Sequence, residues 1–297
     1  MQRIPILEVG PVALSATTVI RLEGLIGRRI LGIQVLFGYA GGTNTVASAL
    51  LHIAEMRFIV NDVVKRRVSG RQWQDLLLKN GTMYGFYGLP NLPGTSMMIP
   101  FSEAWRQDRD QRDITAFPTV WGGGKAPRQQ VYSLRLEIQL TAAVDASHDP
   151  TFGAYACVDD IVPDVVSPMM IEWQQWSIPS GSLAFDYSVK QQGVLVALQM
   201  AQDTGNNTAT RTRLTVDEKV IHDMTRSEAL ADLVFNGMDP LNAARTATLT
   251  DIVLDRDDNL ARAVPLSGRT VLLHVEAGGA MIGTIQAVAE VLRSIGG

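Results

Sequence analysis

Arg57–Gly81, RFIVNDVVKRRVSGRQWQDLLLKNG, and Arg213–Gly237, RLTVDEKVIHDMTRSEALADLVFNG, lie over one another for 25 residues without a gap, 156 residues apart. Arg57/Arg213, Val60/Val216, Val64/Val220, Leu77/Leu233, Asn80/Asn236 and Gly81/Gly237 are identical. Phe58/Leu214, Asn61/Asp217, Asp62/Glu218, Val68/Met224, Ser69/Thr225 and Leu78/Val234 keep their chemistry. Each copy reads as a strand, a connection, a helix capped by Ser69 or Thr225, and an Asn-Gly stop. Glu228 stands three residues after Thr225, the capping-box spacing that satisfies free N–H groups at a helix start. Gly41-Gly42-Thr43-Asn44 and Gly205-Asn206-Asn207-Thr208 supply a turn before each copy. Matched caps, stops and flanking turns predict one structural unit used twice.

The triplet Asp108-Arg109-Asp110 returns as Asp255-Arg256-Asp257 at a spacing of 147, a shortening of nine residues in the second copy. Pro163 and Pro168 mark a break near 164–170, which divides the chain into residues 1–165 and 166–297. Around the repeat, β-branched and aliphatic runs alternate with Gly, Pro, Asn and Asp. Thr17–Leu22, Ile30–Phe37, Ser48–Ile53, Met56–Val60, Val194–Met200, Ala209–Val216, Thr246–Leu254 and Thr270–Val275 read as strands. Val131–Leu140 alternates: Tyr132, Leu134, Leu136, Ile138 and Leu140 form a dry face, and Val131, Ser133, Arg135, Glu137 and Gln139 a wet one. Helical spacing is confined to Ser69–Lys79 and Thr225–Phe235. Many short strands with frequent turns predict an all-β chain of two tandem β-sandwiches, each with a short inserted helix. The bland reading is one larger sandwich with two similar helical turns.

Composition bounds the function. The 297 residues are 46% apolar and 19% charged, with net charge −4, so a core is affordable and a basic nucleic-acid footprint is absent. Arginine outnumbers lysine 21 to 5; interfaces favour arginine, whose weakly hydrated planar fork pairs readily, though a GC-rich genome gives the same bias. No run resembles a signal peptide or a membrane span. Cys157 stands alone in Ala-Tyr-Ala-Cys-Val and reads as an inert strand thiol.

Candidate chemistry is thin. His52, His148, His222 and His274 are scattered, and neither metal-ligand nor hydrolase spacing occurs. Gly122-Gly123-Gly124-Lys125 lacks the remainder of a phosphate loop. Asp108, Asp110 and Asp113, and Asp255, Asp257 and Asp258, offer oxygen ligands of the kind Ca²⁺ takes, but interleaved arginines neutralise them and they read as solvated loops. Trp173 and Trp176, three apart on a strand, face opposite sides and cannot form one sugar platform between Glu172 and Asp186. No cofactor or catalytic residue is expected, and the chain is expected not to be an enzyme.

The Ile30–Phe37 strand, the paired Arg57–Gly81 and Arg213–Gly237 segments, and Ser96–Thr119 as strand, long connection and returning strand resemble the double jelly-roll major capsid proteins of icosahedral phages with an internal membrane. The layout is most similar to the corticovirus-like and finnlakevirus-like members. The resemblance implies two tandem jelly rolls and a homotrimeric, pseudo-hexagonal capsomer in a virion shell over a membrane, assembled in the host cytoplasm. Its implied partners are further copies of itself, vertex proteins, and internal membrane proteins or lipid, with no direct nucleic-acid contact. Lateral contacts would use basic loops, with Lys65, Arg66, Arg67, Arg106, Arg109 and Arg112 as interface candidates. The chain departs from tectivirus-like relatives in having only Arg3 within Met1–Gly10, where those carry a basic arm. The competing readings are a bicupin-like or carbohydrate-binding tandem β protein, another virion component such as a vertex, spike or tail-sheath protein, or an adhesin.

Overall fold

A computed structural model describes residues 2–13, 15–39, 52–79, 95–102, 115–122, 127–141, 150–160, 168–179, 183–202, 208–241, 245–246, 248–254, 262–279 and 284–295. Two compact units emerge. The first comprises Met1–Leu77, Thr82–Ile171 and Ser294–Gly297; the second comprises Leu78–Gly81 and Glu172–Arg293. The division expected at 165/166 lies outside the described residues.

In the first unit the strands are β1 (Gln2–Pro11), β2 (Thr17–Arg21), β3 (Arg29–Tyr39), β4 (Ile53–Val60), β5 (Val63–Val68), β6 (Thr95–Pro100), β7 (Phe117–Pro118), β8 (Val120–Trp121), β9 (Gln129–Gln130), β10 (Leu134–Leu140) and β11 (Pro150–Asp159). Helix α1 (Gly70–Lys79) follows β5. One sheet runs β1-β11-β3-β6, with β7 beside β3, and the other runs β2-β10-β4-β5. The second unit contains β12 (Met169–Pro179), β13 (Ala184–Val189), β14 (Val194–Gln202), β15 (Ala209–Val216), β16 (Lys219–Thr225), helix α2 (Arg226–Phe235), β17 (Thr250–Val253), β18 (Val264–Pro265), β19 (Val271–Ala277) and β20 (Thr284–Ser294). Its sheets run β12-β20-β14-β17, with β18 beside β14, and β13-β19-β15-β16. With the short strands set aside, both units place principal strands 1-8-3-6 in one sheet and 2-7-4-5 in the other. That winding is a jelly roll, and the chain is a double jelly roll.

The repeated segment is the most closely matched part. Ile53–Val60 and Ala209–Val216, and α1 and α2, coincide at the 156-residue spacing. The expected connection is a second strand. Asn61 and Asp62 (φ 49° and 63°) and Asp217 and Glu218 (φ 46° and 68°) form two-residue turns with left-handed backbones. Such turns match the right-handed twist of hairpin strands, and Asn and Asp tolerate them best. Each hairpin then bulges at the same place, between pairs Phe58–Arg66 and Ile59–Val64 in one copy and between Leu214–His222 and Thr215–Val220 in the other.

Both helices start, and α2 stops, as their sequences predict. Ser69 Oγ accepts from Gln72 N at 3.2 Å while Gln72 Oε1 accepts from Ser69 N at 2.9 Å. Thr225 and Glu228 form the expected capping box. After Asn236, Gly237 turns left-handed (φ 79°), its N–H donates to the Val234 carbonyl, and Met238 N donates to the Leu233 carbonyl. This double closure is a Schellman stop, which needs a residue without a Cβ penalty. Asn80 and Gly81 lie outside the described residues.

The first core stacks Phe58, Phe101 and Phe117 with ring centroids 4.8–5.7 Å apart, and Phe37 on Phe152 at 5.1 Å. The second gathers Trp176, Leu195, Leu198, Leu214, Leu273, Val275, Ala287 and Val291. Trp173 is also buried, on the opposite side of β12 from Trp176, which removes both rings from solvent. Along β10 the alternation holds from Leu134 onward. Ahead of it the expected faces are reversed: Val131 is fully buried and Tyr132 is 65% exposed. Residues 131–133 are not strand; Asn61 Oδ1 accepts from Tyr132 N at 2.9 Å and sets a different path there. Thr246–Leu254 shortens to β17 for a similar reason, because Thr246 belongs to a turn whose carbonyl accepts from Leu249 N. Ser48–Leu51 lie outside the described residues.

Candidate assembly surface

The basic segment at 65–67 is not a loop but part of β5, and this corrects the expected exposed interface at Lys65 and Arg66. The bulge at Lys65 adds a residue to one side of the hairpin, which breaks the two-residue alternation. Lys65 and Arg66 are consequently both buried and only Arg67 faces outward, where it pairs with Glu55. Arg66 Nε donates to the Ile171 carbonyl at 2.9 Å and its Nη1 to the Pro100 carbonyl at 2.6 Å. Its guanidinium lies 4.4 Å from the Phe101 ring centroid. A charged fork that satisfies backbone carbonyls and stacks on an aromatic ring is a strut inside the sandwich. Arg106, Arg109 and Arg112, and the weak Ca²⁺ candidates Asp108, Asp110, Asp255 and Asp257, lie outside the described residues.

In the second copy His222 occupies the place of Arg66. Its Nε2 lies 3.0 Å from Thr212 Oγ1. An open cleft of about 440 Å³ beside it is lined by Lys219, Ile221, His222, Met224, Leu254 and Arg262. Val220 and Ile221 on β16, Val234 and Phe235 at the end of α2, and Leu241 beyond it are exposed apolar side chains. Sequence reasoning missed Phe235; the signal was its alignment with Lys79, a charged residue facing an aromatic one in an otherwise matched helix end.

A charged face flanks this apolar edge. Arg211 and Arg213 both pair with Asp223, at 2.7 and 3.0 Å. Hydrogen bonding from Arg211 holds the Asp223 carboxyl below its ordinary range. The Thr225 backbone N–H does the same for Glu228, and the Arg269 guanidinium for Asp217. His274 on β19 faces partly outward and its Nδ1 lies 2.7 Å from Asp186 Oδ1. Cys157 is half-buried on β11, and burial pushes its thiol up, away from the reactive thiolate. Among the described residues, no group of three or more His, Cys, Asp and Glu side chains is placed to hold a metal. Paired guanidinium–carboxylate faces beside exposed apolar side chains suit contact with another protein surface.

A buried pair ties Arg245 to β17 and to the Pro240 carbonyl. Arg245 Nη1 and Nη2 each lie 3.0 Å from a different oxygen of Asp251, and Arg245 Nη1 also donates to the Pro240 carbonyl at 3.0 Å. Gln199 Nε2 donates to Asp251 Oδ1 at 3.2 Å.

No family model matches the chain, and no curated protein sequence matches it. Solved structures do. The chain is similar to the major capsid protein of bacteriophage PM2 at 11% identity and a TM-score of 0.74, covering 99% of this chain and 97% of that one. It is similar to the major capsid protein of STIV at 10% identity and a TM-score of 0.66, covering 98% and 95%. A chain of the PBCV-1 virus capsid matches at 10% identity and a TM-score of 0.58, covering 98% and 92%. Their shared architecture is the double jelly roll found here.

Proposed function

We propose that this chain is the major shell protein of an icosahedral virus and forms homotrimeric, pseudo-hexagonal capsomers over an internal membrane. One observation carries the reading: the chain aligns with the PM2 capsid protein over 99% of its own length and 97% of that protein's, so both jelly rolls are matched. A trimer of paired, similar units presents six comparable wedges, so threefold symmetry fills a hexagonal lattice site. In this reading the partners are further copies of the chain, vertex proteins and the membrane, and the chain resides in the virion.

Light scattering of the purified protein is the direct test. A single species of three times the 32.3 kDa chain mass supports the trimer, and a monodisperse monomer at micromolar concentration overturns it. In purified virions the chain should be the dominant protein band; a scarce band would indicate a vertex or spike component. The membrane is tested separately by lipid analysis of the same particles.

A further inference from the structure

The two helix ends, equivalent in sequence, have opposite surroundings. Residues 78–81 group with the second unit. There the Lys79 side chain, 3% exposed, places Nζ 2.9 Å from Glu290 Oε2, and its carbonyl accepts from Asp239 N at 2.9 Å. Phe235, 156 residues later at the end of α2, is 89% exposed. An aromatic ring left in water at a position whose counterpart is covered marks a missing neighbour.

Strand pairing identifies what the neighbour supplies. On β3 an unpaired Leu31 separates the pairs Ile30–Val158 and Gly32–Cys157. On β14 an unpaired Val196 separates the pairs Leu195–Val291 and Ala197–Glu290. The shared bulge aligns β11 with β20 and makes Cys157 the counterpart of Glu290. Two positions on, Tyr155 pairs with Gln34 as Val288 pairs with Gln199, so even the glutamine partners coincide. Cys157 and Tyr155 are partly exposed on the outward face of β11, whereas Val288 is buried. The charged couple Lys79–Glu290 thus has an uncharged counterpart, Phe235 and Cys157, and among the described residues the Phe235 ring stays uncovered.

We infer that Phe235 of one copy packs against Cys157 and Tyr155 on β11 of a second copy, repeating between chains the contact that Lys79 and Glu290 make within one. The inference rests on the trimer proposed above and names its seam. The contact is head-to-tail, so each copy gives α2 to one neighbour and β11 to the other, and with a threefold rotation such an interface closes into a ring. Cys157 and Phe235 are uncharged, and Arg3 on the paired strand β1 lays its guanidinium 4.0 Å from the Tyr155 ring centroid, so the Phe235 ring would meet an aromatic already stacked by a cation.

The test uses the full chain and its single native cysteine. Phe235→Cys is oxidised with copper phenanthroline at alkaline pH, which favours the Cys157 thiolate, and run on a non-reducing gel. Covalent dimers and trimers are expected, and adding Cys157→Ser should abolish them. Cross-links that survive Cys157→Ser, or no cross-link in a protein that light scattering shows to be trimeric, would overturn the seam and leave the trimer standing. A monomeric wild type would overturn both. Charge exchange gives an independent readout: Phe235→Lys should weaken association at least about tenfold, and Cys157→Glu added to it should restore most of the loss by recreating the Lys79–Glu290 couple. Unchanged association in Phe235→Lys, with circular dichroism confirming the fold, refutes the contact.

Discussion

Replacing Arg245 by Met tests the buried pair that anchors the chain beyond α2. Arg245 and Asp251 are 1% and 2% exposed and share two 3.0 Å contacts. Without the guanidinium, Asp251 keeps the amide of Gln199, but its charge is left in a site with almost no water. Removing one partner of such a pair costs about 3–5 kcal/mol, most of it the penalty of the stranded charge. At about 3 °C per kcal/mol for a domain of this size, the melting transition of the second unit should fall by roughly 10 °C. The pair as a whole is worth far less. Arg245→Met with Asp251→Leu should recover most of the loss, short of about 1 kcal/mol for the acceptor that Gln199 no longer has. Calorimetry and urea titration of wild type, both single variants and the double variant close the cycle. Trp173 and Trp176 in β12 provide a fluorescence signal from that unit. A single-variant cost under about 1 kcal/mol, or a double-variant cost equal to the sum of the singles, would show that the charges are neither buried nor coupled. Because Arg245 also holds the Pro240 carbonyl, the single variant should loosen the segment around Leu241 and weaken self-association as well.

Other outcomes follow from local geometry. Glu218→Gly should raise stability by about 0.5–1 kcal/mol in urea titration, since glycine adopts the left-handed turn (φ 68°) without a Cβ penalty; a loss of stability would contradict the turn assignment. Thr225→Ala should cost about 1 kcal/mol by removing the oxygen that accepts from Glu228 N. The carboxyls of Asp217, Asp223 and Glu228 have folded values below their ordinary ones, so the stability they contribute is present at neutral pH and lost as the pH falls through those depressed values, below about 4. Urea midpoints should therefore drop between pH 5 and pH 3, and Glu228→Gln should shrink the drop. Cys157, its thiol raised by burial, should alkylate slowly at pH 7 and faster as the pH rises; rapid labelling at pH 7 would mean the strand leaves it exposed.

Legibility in the sequence followed the range of the interactions. The helix ends were readable because Ser69, Thr225, Glu228, Asn236 and Gly237 bond to backbone groups three to five residues away. The paired hairpins were half readable: the first strand of each showed its apolar pattern, but β5 and β16 did not. Bulges at Lys65 and Ile221 shift the phase of side chains, so a run such as VVKRRV looks solvated while two of its cations point inward. The role of Arg66 was invisible for the same reason, since its acceptors at Pro100 and Ile171 are 34 and 105 residues away. Strands β1 and β20 also escaped notice: prolines, a glycine and register shifts interrupt β1, and the partners of both lie far along the chain.

Two tandem β units, each with a capped helix at one corresponding place, were determined by the sequence alone, because turn chemistry, capping and apolar periodicity act over a few residues. Winding those strands into jelly rolls, burying the basic strand, and separating a covered Lys79 from an exposed Phe235 were decided only by tertiary structure. Which strand lies beside which depends on pairings across more than a hundred residues, and only there does a second copy of the motif become a surface that its first copy lacks.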